Sequence, residues 1–292
     1  MAPTQQPRYV VISPVRDEAQ HIEKTIQSMV GQKHRPQQWI VVNDGSSDNT
    51  GAIVDRWAAE HPWITPVHRP DRGRRAPGGG VVEAFNAGYQ SIASADWDFL
   101  VKLDGDLEFE PAYFARCFAE FESDPKLGIG GGIICHVVDG KLVPEPNPKF
   151  HVRGATKIYK RACWDAIGGL IAVSGWDTID ELKANMLGWS TRTFPELPLT
   201  HHRFTGAATG AWQNAVKNGR GSYITGYHPM FILLRCFNQL FRKPSIVGSV
   251  GLFYGYVTGY LRRVPQVPDK QLIEYVRKQQ LRRMISSTSV WR

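Results

Sequence analysis

Two runs of apolar residues in this chain each end in an acidic loop. Trp39-Ile40-Val41-Val42 leads into Asn43-Asp44-Gly45-Ser46-Ser47-Asp48, and 60 residues after Asp44 the run Phe99-Leu100-Val101-Lys102-Leu103 has led into Asp104-Gly105-Asp106. A short apolar run bounded by turn residues is what a strand buried on both faces requires, and such strands belong to parallel sheets covered by helices. Open α/β sheets bind their ligands just beyond the carboxyl ends of the strands. Two carboxylates one residue apart can hold a divalent cation against a diphosphate. The pairing therefore predicts an α/β fold with a site for a nucleotide-activated ligand.

The rest of the first half alternates short apolar runs with segments of helical period, as βαβ units do. Tyr9-Val10-Val11-Ile12 reads as a first buried strand, followed by Ile22, Ile26, Met29 and Val30 at helical spacing. After the strand ending at Val42 comes a helix carrying Ile53, Val54, Trp57 and Ala58, with Asp48 or Ser47 as its cap. A short run surrounds Val67, and Gly78-Gly79-Gly80 opens a helix with Val81, Val82, Phe85 and Tyr89. Pro111 begins a helix whose inner face is Phe114, Cys117, Phe118 and Phe121. Gly128 to Val138 reads as β, Pro144 to Pro148 as a loop, Ile179 to Leu187 as a helix stopped by Gly188, and Arg192 to Leu199 as extended chain leading to His201-His202-Arg203.

The character changes after about Tyr223, which predicts a catalytic-type domain over 1–222 and a C-terminal helical extension over 223–292. Met230 to Phe241 is strongly apolar, and Ser245 to Leu261 is uncharged, with Gly248, Gly251, Gly255 and Gly259 inside it and basic residues at both ends. Seventeen residues fall short of the ~20 that span a bilayer, so the segment is expected to lie on or dip into a membrane; a glycine-rich helix pair or oligomer contact is the competing reading. Charge follows the same division. From Phe241 onward ten basic residues face two acidic ones, which accounts for the whole net charge of +8 and leaves the first 240 residues neutral. A basic, aromatic tail of this kind suits an anionic membrane surface better than nucleic acid. The four cysteines have no paired or zinc-type spacing, and the first eight residues lack the apolar core of a secretory signal, so a cytoplasmic, reducing location is expected, peripheral to or monotopic on the cell membrane.

The ordered set Ser13-Pro14-Val15-Arg16-Asp17-Glu18, Val42 to Thr50, Asn86-Ala87-Gly88 and Leu103-Asp104-Gly105-Asp106 resembles the family 2 glycosyltransferases over roughly residues 8 to 210. The resemblance implies the GT-A fold, a Rossmann-like, mainly parallel mixed sheet flanked by helices. It also implies transfer of a sugar from a nucleotide-diphosphate donor, with inversion at the anomeric carbon, to a hydroxyl of a glycan or lipid-linked acceptor in envelope polysaccharide or glycoconjugate synthesis. In that family the Asp at position 44 contacts the nucleobase; a turn residue in Asn-Asp-Gly is the competing reading. Pro14, Arg16 and Glu18 line the end of the first strand, and Asp17 stands where the family usually has Asn. Mg²⁺ or Mn²⁺ would bridge Asp106 and the diphosphate, with Asp104 touching ribose or metal-bound water. Arg72, Arg74 and Arg75, with Gly79 among the glycines that follow, make a basic loop before a helix N-terminus, suited to a diphosphate. His201 and His202 are candidates for a further metal or diphosphate contact.

A catalytic base must lie on the acceptor side, within reach of the attacking hydroxyl. Asp177 is the first candidate and Asp180 the second: the family usually has Glu-Asp at this helix start with a Gly eleven residues after the Asp, and Asp177 to Gly188 keeps that separation while Trp176 replaces the Glu. Trp176 could stack on an acceptor sugar or fill the core. Gln280-Leu281-Arg282-Arg283-Met284 is a faint likeness of a processive-synthase motif lacking its Trp, which argues against processivity. Two other classes compete. A nucleotidyltransferase should carry a Gly-rich basic loop after its first strand, where this chain has Pro14-Val15-Arg16-Asp17, and a non-catalytic binding module would not need Asp106 and Asp177 together.

Overall fold

The computed structural model describes residues 6–71, 73, 79–203, 210–241, 245–285 and 289. Arg72, Arg74, Arg75 and Gly78 lie outside the described residues. The first half is built as its apolar pattern dictates: β1 (Tyr9–Val15), α1 (Ile22–Val30), β2 (Gln38–Asp44), α2 (Thr50–Glu60), β3 (Ile64–Arg69), α3 (Gly80–Tyr89) and β4 (Phe99–Leu103). These strands form the parallel run β3-β2-β1-β4. Alternate residues point to opposite faces, and both faces are covered. Val11, Val41 and Val101 pack with Ile22, Ile26 and Met29 of α1 on one side, while Val10, Ile12, Ile40 and Leu100 pack with Ala84 and Phe85 of α3 on the other. Burial on both faces is why these strands read as unbroken apolar runs.

Beyond β4 the sheet becomes mixed. A two-residue β5 (Leu107–Glu108) and α4 (Tyr113–Ser123) are followed by β6 (Leu127–Val138), β7 (Lys141–Pro144), β8 (Thr156–Lys160), α5 (Arg161–Ile167), α6 (Trp176–Met186) and β9 (Ser190–His201). The sheet continues β4-β8-β6-β9-β5, with β4-β8 and β6-β8 antiparallel and β6-β9 parallel, and with β7 as a hairpin partner of β6. The sheet is therefore evenly mixed rather than mainly parallel, with unbroken parallel pairing only through the first four strands in the order and one further parallel pair, β6-β9. β8 and α5, which the sequence pattern did not announce, bring Lys157 and the loop before it beside the end of β4. α6 starts at Trp176, three residues before the expected Ile179, after Gly175 with φ 88°.

The C-terminal part is helical: α7 (Ala211–Ile224), α8 (Pro229–Gln239), α9 (Ser245–Leu261) and α10 (Lys270–Ile285). The change of character at 222/223 falls inside α7. A third core joins Ile179 and Leu182 of α6 to Tyr223, Phe231, Ile232, Leu252, Tyr256 and Leu272, so these helices close over the α6 side of the sheet. α9 lies along α7 at glycine-limited distance: a Cβ at Gly255 would stand 2.1 Å from the Val216 carbonyl oxygen, and one at Gly219 2.0 Å from that of Leu252. No helix among the described residues is long and apolar enough to cross a membrane.

Candidate active site

The carboxyl ends of β1 and β2 form one wall. Pro14 closes β1 in register with Val42, and Arg16, just beyond the strand, donates to the Asp44 carbonyl at 3.2 Å and to the Asp71 carboxylate at 2.7 Å. Asp44 is itself nearly buried, its carboxylate held at 2.7 Å by Arg69 from the end of β3. Gly45 has φ 69°, and a Cβ there would come within 2.4 Å of the Asp71 backbone, so the turn after Asp44 requires glycine. Asp17 also has positive φ (53°), a conformation that Asp tolerates, and its carboxylate accepts from the Ser47 N–H at 2.9 Å. Asp17 therefore ties the β1 loop to the β2 loop. The Glu18 carboxylate pairs with Arg203.

Asp104 and Asp106 leave the end of β4 together, next to β1. Gly105 between them permits this: a Cβ would meet Val15 at 2.6 Å. Asp104 is paired with Lys102, a buried cation from within β4 that also donates to the Gly154 carbonyl at 2.5 Å. Burial pushes the Asp104 carboxyl above its ordinary range, and the Lys102 charge offsets this only in part. Asp106 is 5% exposed, with His201 Nε2 at 3.2 Å and Arg203 Nε at 3.8 Å. Burial alone would raise Asp106, but the hydrogen bond and charge of His201, joined by Arg203 and Lys102, outweigh it and hold the carboxyl below the usual range. The same contact, against the effect of burial, lifts the His201 imidazolium above its ordinary value. Of the two histidines, only His201 faces the Asp pair. His202 turns to Glu108 at 3.0 Å and stacks on His21, although its backbone N–H donates to the Asp106 carbonyl at 3.1 Å.

Two carboxylates one residue apart, with an imidazole against one of them, are donor types that suit Mg²⁺ or Mn²⁺, although among the described residues the trio whose donor atoms come within 4.8 Å of one another is His136, Glu145 and His201 rather than this set. His201 also carries a buried Nδ1 with no hydrogen-bond partner and groups with His136 and Glu145, one donor atom from each residue lying within 4.8 Å of the others. His136 and Glu145 are already engaged, His136 to Glu145 at 2.7 Å and Glu145 to Arg153 at 2.8 Å. These three residues buttress His201 from behind.

On the far side of Gly154 lies the start of α6. A Cβ at Gly154 would be 3.2 Å from Asp177, while its carbonyl accepts from Lys102, the partner of Asp104, so one glycine links Asp177 to the Asp104 ion pair. Asp177 lines an open-sided cavity of about 1090 Å³ bounded by α6, α7, α8, α9, α10 and the segment around His151. Asp180 does not line it. Its carboxylate is buried against Lys157 Nζ (2.8 Å) and the Tyr159 hydroxyl (2.6 Å), and burial raises it to about 6 despite the lysine. Lys157 also reaches Glu181 at 3.0 Å and the Asp177 carbonyl at 2.5 Å. Glu181 in turn holds His151 at 2.7 Å, which lifts that imidazole above its usual value although burial pulls the other way. Trp176 is 7% exposed, and the ammonium groups of Lys102 and Lys157 each lie 5.6 Å from its ring centre. Its indole fills the space between the two lysines.

Sequence reasoning passed over Lys102, Lys157, Gly154 and Arg203. A lysine in the middle of an apolar strand was a usable signal for Lys102, since a buried cation requires a partner. Gly79 is found at the start of α3, where a Cβ would be 3.0 Å from the Ala172 carbonyl in the loop before α6.

The family model described as "Glycosyl transferase family 2" matches residues 10–173. Poly-beta-1,6-N-acetyl-D-glucosamine synthase of Staphylococcus aureus (strain COL) is 29% identical over 112 residues, which are 38% of this chain and 25% of that protein. The Staphylococcus epidermidis synthase is 26% identical over the same shares. The chain thus aligns with about a quarter of the length of the curated relatives it matches. Among solved structures, the mannosyltransferase PcManGT from Pyrobaculum calidifontis, in complex with GDP-Man and Mn²⁺, superposes with a TM-score of 0.57 at 19% identity, over 93% of this chain and 80% of that one. Staphylococcus aureus TarS 1–349 in complex with UDP-GlcNAc gives 0.54 at 16% identity, over 92% and 79%. The curled mixed sheet with flanking helices is similar to that of GT-A glycosyltransferases.

Proposed function

Because the chain belongs to glycosyl transferase family 2, a family of enzymes, we propose that it transfers a sugar from a nucleotide-diphosphate donor to an acceptor hydroxyl with inversion, using a divalent cation, in the assembly of an envelope polysaccharide or glycoconjugate. The observation that supports this reading is that Gly154 touches both ends of the site: its carbonyl accepts from Lys102, the partner of Asp104, and a Cβ on it would be 3.2 Å from Asp177, which we assign as the acceptor-side base. Arg16, Glu18 and Asp44 form the nucleotide wall, with Asp44 fixed by Arg69 to accept from base or ribose. Arg75 lies outside the described residues and stays in the proposal for the diphosphate, together with the α3 N-terminus at Gly79. Asp106, with Asp104 and His201 beside it, would hold Mg²⁺ or Mn²⁺, which would supply charge neutralisation for the leaving diphosphate. His202, held at Glu108, is left as a neighbour of that set.

Asp177 takes the proton from the acceptor hydroxyl as that oxygen attacks the anomeric carbon opposite the leaving group. Asp180 has the opposite environment: a carboxylate locked between Lys157 and Tyr159 has no opening to a substrate, so its part is to set α6 and with it Asp177. The C-terminal helices would seat the enzyme on the cytoplasmic face of the membrane. Leu233 and Phe237 of α8 and Phe241 just beyond it, with Ile246, Val250 and Phe253 of α9, are exposed apolar residues, and the whole net positive charge lies in the chain from Phe241 onward.

The test is thermal unfolding of the purified protein with UDP, GDP, dTDP and CDP, each with and without Mn²⁺. One nucleotide should raise the midpoint only when metal is present, and Asp106→Ala should abolish that rise. A metal-independent shift that survives Asp106→Ala would remove the acid pair from the donor site.

A further inference from the structure

The cavity beside Asp177 is lined by four long cations, Arg153, Lys217, Arg235 and Arg283, against one carboxylate, Asp177 itself. Arg153 is neutralised by Glu145, whereas Lys217, Arg235 and Arg283 form no ion pair among the described residues. Arg235 is the fixed member of this set. Its guanidinium lies 5.8 Å from the Tyr227 ring centre and donates to Ser222 Oγ at 3.2 Å, and both of those residues also line the cavity. A partly enclosed space with uncompensated positive charge on low-dielectric walls concentrates anions. The remaining lining is substantially apolar, including Phe231, Leu234 and Leu252, and Leu234 is 42% exposed on the same apolar face of α8 as Leu233 and Phe237. The cavity therefore reaches from the base to the edge of that face.

Resting on the assignment of Asp177 to the acceptor side, we infer that the acceptor is an amphiphile carrying a phosphate group: its hydroxyl meets Asp177, its phosphate meets Arg235 with Lys217 and Arg283, and its apolar chain leaves past Leu234 along α8. A guanidinium already oriented by Tyr227 and Ser222 loses little freedom on binding a phosphate, which favours Arg235 over the two exposed cations as the main contact. A neutral glycan acceptor would leave this charge unanswered. A cavity of about 1090 Å³ also exceeds what one sugar ring fills, as a ligand of head group plus chain requires.

The experiment is calorimetric titration of the full chain with decyl phosphate below its micellar concentration, with decyl β-glucoside and with inorganic phosphate. Decyl phosphate should bind at least about tenfold more tightly than decyl glucoside, and Arg235→Gln should erase most of that preference, the loss expected for one charge-assisted contact. Inorganic phosphate binding as tightly as decyl phosphate would support the anionic acceptor and make its source water-soluble rather than lipid. Equal affinity for decyl phosphate and decyl glucoside would overturn the inference, as would an unchanged preference in Arg235→Gln. Since Arg235 also packs on Tyr227, Lys217→Gln on the exposed rim is the second variant, expected to weaken decyl phosphate about threefold through lost field alone. The metal-dependent nucleotide shift, read on the same preparations, separates the two levels: its persistence alongside a failed phosphate preference discards the anionic acceptor and leaves the transferase reading in place.

Discussion

Asp177 and Asp180 stand three residues apart on one helix, and a lysine from β8 gives them different surroundings. Lys157 binds the Asp180 carboxylate but only the backbone carbonyl of Asp177, leaving the Asp177 side chain to the cavity. Removing charge at the two positions should therefore fail in different ways. Asp177→Asn is expected to lower turnover by two to four orders of magnitude, roughly the range of a lost general base, with nucleotide binding and melting midpoint unchanged. Asp180→Asn should cost about 3 kcal/mol of stability, the low end for disturbing a buried ion pair because Glu181 still faces Lys157, and should lower activity only as far as α6 shifts. Steady-state kinetics beside urea unfolding of both variants checks this; turnover retained in Asp177→Asn would reverse the assignment. The sequence placed both carboxylates at the right helix end. It could not choose between them, because the lysine that distinguishes their surroundings sits on β8, a five-residue Thr156-Lys157-Ile158-Tyr159-Lys160 strand with neither an apolar run nor an alternation to announce it. His201 and His202 pose the same problem. Successive residues of an extended chain face opposite sides, and which side holds Asp106 depends on β9 pairing with β5.

At the scale of elements, α9 resolves an ambiguity that composition cannot. Seventeen uncharged residues with four glycines suit a membrane-dipping segment, the reading the sequence favours, and also a close helix pair, and one face of the helix makes that close pair. Gly251, Gly255 and Gly259 turn to α7, where a Cβ would meet Ala215, Val216 and Tyr223 at 2.7, 2.1 and 2.4 Å. Ile246, Val247, Val250 and Phe253 are on the surface. Gly255→Ala should accordingly destabilise the protein by roughly 1–3 kcal/mol through overpacking against backbone, although Ala is the better helix former. Val250→Ala, on the exposed face, should stay within about 0.5 kcal/mol. Denaturant midpoints of the two variants decide it, and equal midpoints would mean that the α7–α9 contact does not form. The parallel strands β1, β2 and β4 were legible for the converse reason: burial on both faces leaves no choice but a continuous apolar run, whereas α5 and β8 are short and half-polar.

The whole molecule divides its charge unevenly: residues 1–240 are neutral overall, and residues 241–292 hold ten basic residues against two acidic ones. An exposed apolar face within the basic end is a liability for a protein free in solution, and the proposal that it meets an anionic bilayer makes the two features parts of one contact. The contributions can be separated by salt. Electrostatic attraction of the eight net charges, each worth about 1 kcal/mol when close to the surface, falls steeply once the screening length shrinks to about 3 Å near 1 M salt, whereas apolar insertion does not. Flotation of the full chain with phosphatidylglycerol-rich vesicles should therefore show strong binding at low salt and a smaller, salt-resistant fraction. Phe237→Ser with Phe253→Ser should remove the salt-resistant fraction and leave the low-salt fraction largely in place, because neither substitution alters charge. Neutral phosphatidylcholine vesicles should recover only the salt-resistant part. Binding unaffected by the paired serines would detach the apolar face from the membrane and give it instead to a second copy of the chain, an outcome that sedimentation equilibrium of the same variants would register as loss of a dimer.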